Sequence, residues 1–171
     1  MASSPLLVNA AELLRQPGSR RHVDTAVPRD DLDVDDPRLE GEVRVELVAE
    51  STLDDVVVSG TLTVGWNDQC RRCLRPLHPD LCVDVEERYA TAESPAVNDH
   101  AFPIEHGQLD LRPMIREGIL LAVTDAPLCR DDCPGLCPIC GADLVDGPCG
   151  CAVAERDERW AVLDQLRLDP G

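Results

Sequence analysis

Three stretches of the chain predict β-strands, two of them because apolar and polar positions alternate with the period of a half-buried strand and one because it is rich in β-branched residues. They cover residues 42–50, 56–66 and 81–89. The inward-facing members of the first and third stretches are Val43, Val45, Leu47 and Ala49, and Leu81, Val83 and Val85. The second stretch is rich in β-branched residues, and we expect it to be bulged or bent at Gly60. Three strands with one apolar face predict an antiparallel meander or part of a small barrel.

A helical period follows the strands. Its apolar positions fall on one stripe, formed by Leu111, Ile115, Ile119 and Ala122. Asp110 is the predicted N-cap, Pro113 is tolerated in the first turn, and the helix is expected to end near Val123. Because this stripe would cover the sheet, we predict an α+β fold. It would be a small antiparallel β-sheet or partial barrel covered by a helix, with a Cys-rich C-terminal segment that the spacing of its cysteines, described below, predicts to be zinc-binding.

The chain divides into four predicted segments. Residues 1–40 contain an N-terminal helix, a basic patch and an acidic linker, and residues 41–125 form the β-rich core with its covering helix. Residues 126–151 are the cysteine-rich segment. Residues 152–171 are a helical tail, in which the helix spans 154–168 and packs through Trp160 and Leu163.

Two parts of the chain outside the main pattern are predicted to be less regular. Residues 9–15 predict only a short helix, and the basic patch after it consists of Arg20, Arg21 and His22. Residues 24–40 are acidic and contain two prolines, which is the composition of a linker or a solvated arm. Residues 91–108 are predicted to be irregular.

The composition limits the classes of partner. The 171 residues include 16 arginines and no lysine against 33 acids, for a net charge of −17. Such a charge opposes binding to RNA phosphates and to anionic membranes, and favours a basic protein partner. Only 2% of the residues are aromatic, so stacking of bases on aromatic side chains is not expected. No apolar run is long enough to cross a bilayer and no signal peptide is visible, which predicts a soluble, cytoplasmic protein.

Nine cysteines in a chain predicted to be cytoplasmic indicate metal binding or redox chemistry more than disulfides. One cluster is Cys70-Arg-Arg-Cys73, between the second and third strands. The other contains Cys129, Cys133, Cys137, Cys140, Cys149 and Cys151, and within it Cys137-Pro-Ile-Cys140-Gly141 has the form of a zinc knuckle. Four thiolates at such spacings are the usual ligands of a structural Zn²⁺ ion. We therefore predict one or two Zn²⁺ ions per chain, although these ligands suit iron as well.

The partition of the cysteines has two solutions at this point. In one, Cys70, Cys73, Cys129 and Cys133 form a first site, and Cys137, Cys140, Cys149 and Cys151 form a second. In the other, Cys133, Cys137, Cys140 and one of the last two cysteines form a single site. Cys82 is left as a lone thiol on a strand, and His78 is a possible substitute ligand that is more readily interpreted as an exposed loop residue.

Other chemistries for the cysteines have less support. A thioredoxin-like pair would open a helix in a βαβ unit, and Leu74-Arg75-Pro76 does not provide that context. A catalytic zinc keeps an open position and commonly uses His or Glu, whereas all-cysteine sites are closed and structural. We therefore expect no enzymatic activity and no small-molecule substrate. A redox-responsive zinc-binding interaction module is the alternative.

Three arginines surround the first cysteine pair: Arg71, Arg72 and Arg75. They are the best candidates for a weak contact with RNA phosphate or with a partner. They are also placed to neutralise the negative charge of a thiolate site, which is the interpretation that we favour.

These motifs, taken in order, resemble those of the YceD family. The resemblance lies in Cys70-Arg-Arg-Cys73-Leu, the DLRPMIREGILLAV helix and LCRDDCPGLCPICGADL…CGC, and it covers most of residues 6–151. By position, Cys70 and Cys73 match the first family motif, Cys133, Cys137 and Cys140 match the second, and Cys82 matches neither.

The resemblance implies a role in the accumulation or processing of large-subunit (23S) ribosomal RNA. It also implies a functional link with a small protein of the large ribosomal subunit. Together with the charge, this predicts a non-enzymatic assembly factor that binds a basic large-subunit ribosomal protein or a pre-ribosomal particle.

Overall fold

The computed structural model describes residues 4–94 and 101–152. In chain order, the elements are β1 (Leu7–Asn9), α1 (Ala10–Leu13), β2 (Arg20–Pro28), a 3₁₀ turn (Arg29–Leu32), β3 (Leu39–Ser51), β4 (Asp55–Trp66), β5 (Asp68–Gln69), β6 (Pro76–Leu77), β7 (Asp80–Ala90), β8 (Phe102–Glu105), β9 (Gln108–Asp110) and α2 (Arg112–Ala122).

Seven of the strands form one curled sheet in the order β1-β9-β8-β7-β4-β3-β2, and β5 and β6 form a separate hairpin. Neighbouring strands of the large sheet are antiparallel except β7 and β8, which are parallel. The sheet forms a nearly closed barrel. The three predicted strands are confirmed as β3, β4 and β7, but the sheet is larger than the predicted meander.

Of the bulge or bend predicted at Gly60, the bulge is not present, since Gly60 pairs in register with Leu47 of β3 and Val85 of β7. The irregularity lies between Glu40 and Arg44, where β3 shifts register against β4. Gly60 nevertheless has a φ of +148°, and a Cβ there would clash with the carbonyl oxygen of Glu46. The glycine therefore allows close approach of two central strands without interrupting their pairing.

Helix α2 packs against the sheet at β7 and against the 3₁₀ turn. The predicted stripe is buried at Leu111, Ile115 and Ile119. A Cβ on Gly118 would lie 3.2 Å from Val85 and 3.6 Å from Leu62, so the helix packs closely on β7 and β4. The core against which it packs is mostly aliphatic, with Tyr89 fully buried in it and Trp66 and Phe102 partly buried beside it.

Asp110 does not have the predicted role of N-cap. It pairs with Leu7 as the last residue of β9, and the N-cap position belongs to Leu111, whose side chain makes no capping bond. The Asp110 carboxylate still accepts a hydrogen bond from the backbone N–H of Arg112 at 3.0 Å and binds its guanidinium group. These bonds, the side-chain bond above all, lower the pKa of Asp110 below its usual value.

The predicted arm at residues 24–40 is wrong. Residues 20–28 form β2, which pairs along its whole length with β3, and Leu32, Val34 and Leu39 are buried. The alternation of Val23, Thr25 and Val27 places apolar side chains inward while the acids remain exposed. The predicted boundary at residue 40 consequently falls inside β3.

Two other predictions have different outcomes. The predicted irregular stretch at 91–108 contains β8 and the start of β9, which are too short to produce a periodic signal. The short N-terminal helix is confirmed as α1, with the Asn9 side chain accepting a hydrogen bond from the N–H of Glu12. The predicted helix at 154–168, with Trp160 and Leu163, lies outside the described residues.

Candidate metal centres

The first cysteine pair is carried by the β5–β6 hairpin. The backbone N–H of Cys70 donates to the carbonyl of Arg75 at 2.9 Å, and the N–H of Leu74 donates back to the carbonyl of Cys70 at 2.9 Å. These two bonds close a tight turn. Because the turn is fixed at both ends, the thiols of Cys70 and Cys73 are directed to the same side.

The second CxxC pair forms a turn of the same kind. The N–H of Cys137 donates to the carbonyl of Ala142 at 2.8 Å, and the N–H of Gly141 donates to the carbonyl of Cys137 at 2.9 Å. A single β-bridge between Leu136 and Asp143 flanks this turn. Both knuckles are therefore short hairpins whose tips present two cysteines.

The nearby residues complete a first four-cysteine group, which we call cluster A: Cys70, Cys73, Cys129 and Cys133. All four sulfur atoms lie within 4.8 Å of one another. The Cys70 and Cys133 sulfurs are 3.7 Å apart, and those of Cys73 and Cys129 are 3.8 Å apart. Cys70, Cys73 and Cys133 are buried, and Leu77, Leu128 and Val145 pack against them.

A second group, cluster B, consists of Cys137, Cys140, Cys149 and Cys151, again with all sulfurs within 4.8 Å. It is more open than cluster A. Cys137 is buried, Cys140 is exposed, and Cys149 and Cys151 are half-buried. The sulfur positions therefore follow the four-plus-four partition, and Cys133 does not join the knuckle that follows it.

Both clusters have the donor set of a tetrahedral thiolate site, and cluster A also has its dimensions. Zn–S bonds of about 2.3 Å in a tetrahedron place the sulfurs about 3.8 Å apart. The sulfur separations of 3.7 and 3.8 Å in cluster A match that value and are far longer than the roughly 2.05 Å of a disulfide bond. All the ligands in each group are cysteines, a composition typical of closed, structural sites.

The backbone of each knuckle favours a thiolate at its first cysteine. Burial opposes ionisation of Cys70, but N–H groups of Cys73, Cys129 and Arg72 directed at its sulfur lower its pKa to about 6. The N–H groups of Cys140 and Ile139 lower the pKa of Cys137 to about 6 as well. The Ile139 nitrogen lies 3.4 Å from the Cys137 sulfur.

Once one thiol in a cluster is ionised, its neighbours resist ionisation. The adjacent sulfur of Cys133, together with burial, raises the pKa of Cys129 to about 12. The sulfurs of Cys140 and Cys149 do the same for Cys151, whose pKa is also about 12. Four thiolates so close together require a cation among them.

The three arginines around the first knuckle bind the protein's own cysteine-rich segment. Arg71 donates from Nε to the carbonyl of Asp125 at 2.8 Å, and Arg72 donates from Nη1 to the carbonyl of Cys133 at 3.0 Å. Arg75 forms ion pairs with Asp143 at 2.6 Å and Asp146 at 2.5 Å. The guanidinium groups therefore connect the hairpin to the second half of the site.

The two knuckles also contact each other directly. The carbonyl of Arg72 accepts the N–H of Leu136 at 3.2 Å. A Cβ on Gly135, which has a φ of +77°, would lie 3.0 Å from that same carbonyl. This contact fixes the start of the second knuckle against the tip of the first.

Cys82, expected to be a lone thiol, and His78, considered as a substitute ligand, lie outside both clusters. Cys82 is exposed on β7, and His78 is exposed with its Nδ1 against the side-chain oxygen of Asn67. Sequence reasoning missed Asp143 and Asp146, because two acids among 33 give no signal that they pair with Arg75. It also missed Arg38, which contacts Asp68 of the hairpin and the Thr124 carbonyl beyond α2.

The fold and the site define a small, mostly β protein that carries two four-cysteine clusters next to its barrel. The chain belongs to the YceD family: the family described as large ribosomal RNA subunit accumulation protein YceD matches residues 58–167, which include all nine cysteines. No helix in the described part of the chain has the length and hydropathy of a transmembrane span.

Comparison with curated proteins gives two kinds of relative. An uncharacterized protein of Mycobacterium leprae is 31% identical over 174 residues, covering 95% of this chain and 78% of the relative. An uncharacterized protein of Mycobacterium tuberculosis is 31% identical over 175 residues, covering 96% and 82%. The large ribosomal RNA subunit accumulation protein YCED homolog 1, chloroplastic, of Arabidopsis thaliana is 35% identical over 66 residues, covering 39% and 21%. No solved structure matches the chain.

Proposed function

We propose that this protein is a non-enzymatic ribosome assembly factor that promotes the accumulation or processing of large-subunit (23S) ribosomal RNA. The observation that carries the proposal is the family match across residues 58–167, since the family is named for large ribosomal RNA subunit accumulation. The net charge of −17 supports action through a basic large-subunit ribosomal protein or a pre-ribosomal particle. Bare RNA would be repelled by the same charge.

We further propose that clusters A and B each hold one Zn²⁺ ion. Cluster A would join the β5–β6 hairpin to the segment after α2, because two of its cysteines come from each. Cluster B would close the last turns of the described chain on themselves. When bound, such an ion would cross-link these short segments, and its binding would be coupled to their folding. The main role of Arg71, Arg72 and Arg75 would then be to hold this structure together. Contact with RNA or a partner would be their secondary role.

The decisive experiment is a sucrose-gradient profile of ribosomal particles from cells depleted of this protein. We expect a shortage of large subunits with accumulation of precursor RNA, restored by the wild-type gene and by a Cys82→Ser variant. A Cys70→Ser variant should restore the profile poorly, because cluster A would be lost. A normal profile in depleted cells contradicts the assembly role.

The difference in exposure between the clusters supports a second candidate, a redox-responsive interaction module. In cluster B, peroxide could reach the exposed Cys140 and the half-buried Cys149 and Cys151, whereas in cluster A only Cys129 is exposed and the other three thiols are buried. Two thiolates would give two electrons to peroxide and form a disulfide, with release of the bound ion. Reversible zinc release under mild peroxide, together with altered partner binding, would favour this candidate. Retention of zinc under those conditions would exclude it.

A further inference from the structure

The barrel is open along one seam. Strands β1 and β2 are the two ends of the seven-stranded sheet and do not pair with each other. Two cavities lie in this gap, one of about 530 Å³ beside residues 20–25 of β2 and one of about 380 Å³ beside residues 26–28. Residues 4–9 line the opposite side. Together the cavities follow β2 from end to end, and we call this space the β1–β2 slot.

The free edge of β2 presents backbone hydrogen-bonding groups to the slot. In an antiparallel pair, alternate residues bond the neighbouring strand and the residues between them point away from it. Pro28 has no N–H and so belongs to the outward set, and the carbonyl of Ser19 accepts the N–H of Ser51 on β3. Both observations give the same alternation, by which the N–H groups of His22, Asp24 and Ala26 face the slot.

This edge is long and only partly protected. Proteins commonly protect an exposed edge strand with a short length, charged side chains, a proline, a covering loop or a bulge. β2 carries charged side chains and a proline at its far end, but it has nine residues in continuous register with β3 and no bulge against it. Across residues 4–94 and 101–152, no segment pairs with the free edge. An extended chain is the ligand whose donors and acceptors repeat at the spacing of this edge.

The side chains around the slot indicate what such a chain would carry. Val8, Leu13 and Val23 form an apolar floor and are buried. Arg21 lies on the same face of β2 as Val23, is exposed, and has no ion-pair partner in the described part of the chain. Arg20, in contrast, pairs with Glu50 at 2.9 Å. An apolar side chain over the floor and a carboxylate beside Arg21 would complement these residues.

We propose that the β1–β2 slot binds an extended segment of a partner protein, which pairs with the free edge of β2 and places an acidic side chain against Arg21. The slot lies at the barrel seam and shares no residue with clusters A and B. This binding mode therefore stands independently of the assembly role proposed above.

The test uses a phage-displayed library of random linear peptides, selected on the zinc-loaded full chain. Asp24→Pro removes an N–H from the slot edge without removing one from the β2–β3 ladder. Asp24→Ala is its matched control, because it removes the same side chain and keeps the N–H. Arg21→Glu tests the charge, with Arg15→Glu as its control, since Arg15 is exposed and lines neither cavity.

We expect enriched peptides that alternate apolar with polar residues and contain Asp or Glu. Asp24→Pro and Arg21→Glu should each weaken their binding about tenfold, roughly the effect of losing one backbone or charge-assisted hydrogen bond. The two controls should bind as the wild type does. If the melting temperature shows that Asp24→Pro does not fold, the comparison of Arg21→Glu with Arg15→Glu tests the proposal.

Three results would overturn the proposal. The first is enrichment of no peptide that depends on the slot, and the second is equal binding to Arg21→Glu and Arg15→Glu. The third is a wild-type dimer that becomes a monomer in Asp24→Pro, measured by light scattering, because the occupant would then be a second copy of this chain. A normal ribosome profile in depleted cells would leave the slot proposal unaffected.

Discussion

Leu74 and Gly141 occupy the same position in the two cysteine knuckles. Each follows the second cysteine of its pair, and each donates its N–H to the carbonyl of the first cysteine at 2.9 Å. Both have left-handed backbone conformations, with φ of +61° for Leu74 and +72° for Gly141. The first knuckle therefore maintains with leucine a conformation that normally favours glycine, at a cost of about 1 kcal/mol.

This relationship predicts different responses to substitution at the two sites. Gly141→Ala should reduce the free energy of unfolding by about 1 kcal/mol, because the added Cβ meets no atom within 4 Å and only the backbone conformation is penalised. Leu74→Gly should be nearly neutral, since relief of strain offsets the greater freedom of glycine in the unfolded chain. Denaturant unfolding of the zinc-loaded variants measures both.

Gly150→Ala provides the control for Gly141→Ala. Its Cβ would also meet no atom within 4 Å, and its φ is outside the left-handed region. We expect a change of less than about 0.5 kcal/mol, typical of an exposed substitution. Equal destabilisation by the two alanine variants would show that backbone strain at the knuckle is not the cause.

The two clusters predict separable metal stoichiometries. Cys70→Ser should lose the ion of cluster A and Cys140→Ser that of cluster B, so each variant should retain about one equivalent of zinc per chain, against two in the wild type. Cys70→Ser should lower the melting temperature more, because Cys70 is fully buried and its cluster joins distant segments. Metal analysis of the purified proteins gives the result.

Cys82→Ser is the matched control, because Cys82 is exposed on β7 and belongs to neither cluster. It should retain both ions and the wild-type melting temperature. Loss of all metal from Cys140→Ser would mean that cluster A does not hold its ion independently. Full retention in Cys70→Ser would contradict the assignment of its ligands.

The close approach of β3 and β4 predicts that substitution of Gly60 strongly destabilises the protein. Gly60→Ala should destabilise the barrel by about 3 kcal/mol, because a Cβ would clash with the Glu46 carbonyl and neither central strand can move away cheaply. Gly65→Ala, also on β4, is the control. Its Cβ would lie 3.1 Å from the Glu40 carbonyl, next to the irregular stretch of β3, and the cost should be about 1 kcal/mol or less. Thermal unfolding that ranks them in the other order would exclude this explanation.

Periodicity predicted the strands whose two faces differ in polarity over many residues. β3 and β7 have 13 and 11 residues, so their alternation is visible despite their charged neighbours, and β4 was predicted from its β-branched composition. β2 was missed because its acids and its proline suggested solvent exposure, whereas only the outer face and the strand end are exposed. β8 and β9 have only four and three residues, which is too short for a periodic pattern, so they are recognised as strands only by their pairing with neighbouring strands.

The cysteine spacings predicted the two CxxC turns, since each is formed by contacts within six residues. They left the long-range grouping open. Cys70 and Cys133 are 63 residues apart, and their approach depends on where the hairpin lies relative to the end of α2. Arg71 contributes to that placement by donating its N–H to the carbonyl of Pro127 at 2.9 Å. No local pattern encodes such a contact.

The ion pair between Arg75 and Asp143 predicts a measurable coupling between the two knuckles. Asp143 is held in place at both carboxylate oxygens, since Oδ1 accepts the N–H of Val145 at 2.9 Å and Oδ2 accepts Arg75 Nε at 2.6 Å. The Val145 N–H and then the Arg75 guanidinium lower the pKa of Asp143 below its usual value. A double-mutant cycle with Arg75→Gln and Asp143→Asn should therefore give a coupling of about 1 kcal/mol.

The same cycle with Asp146→Asn tests whether burial matters to this link. The Asp146 side chain is 77% exposed against 24% for Asp143, so solvent screens its attraction to Arg75 and the coupling should fall below about 0.5 kcal/mol. Measured in the zinc-loaded protein by denaturant unfolding, the Asp143 coupling should also change little between low and high salt, because that pair is the less exposed. If both couplings are equal and disappear in salt, Arg75 acts only through the general charge of the surface. The knuckles would then be joined by the backbone contact between Arg72 and Leu136 and by the bound metal, without help from the guanidinium.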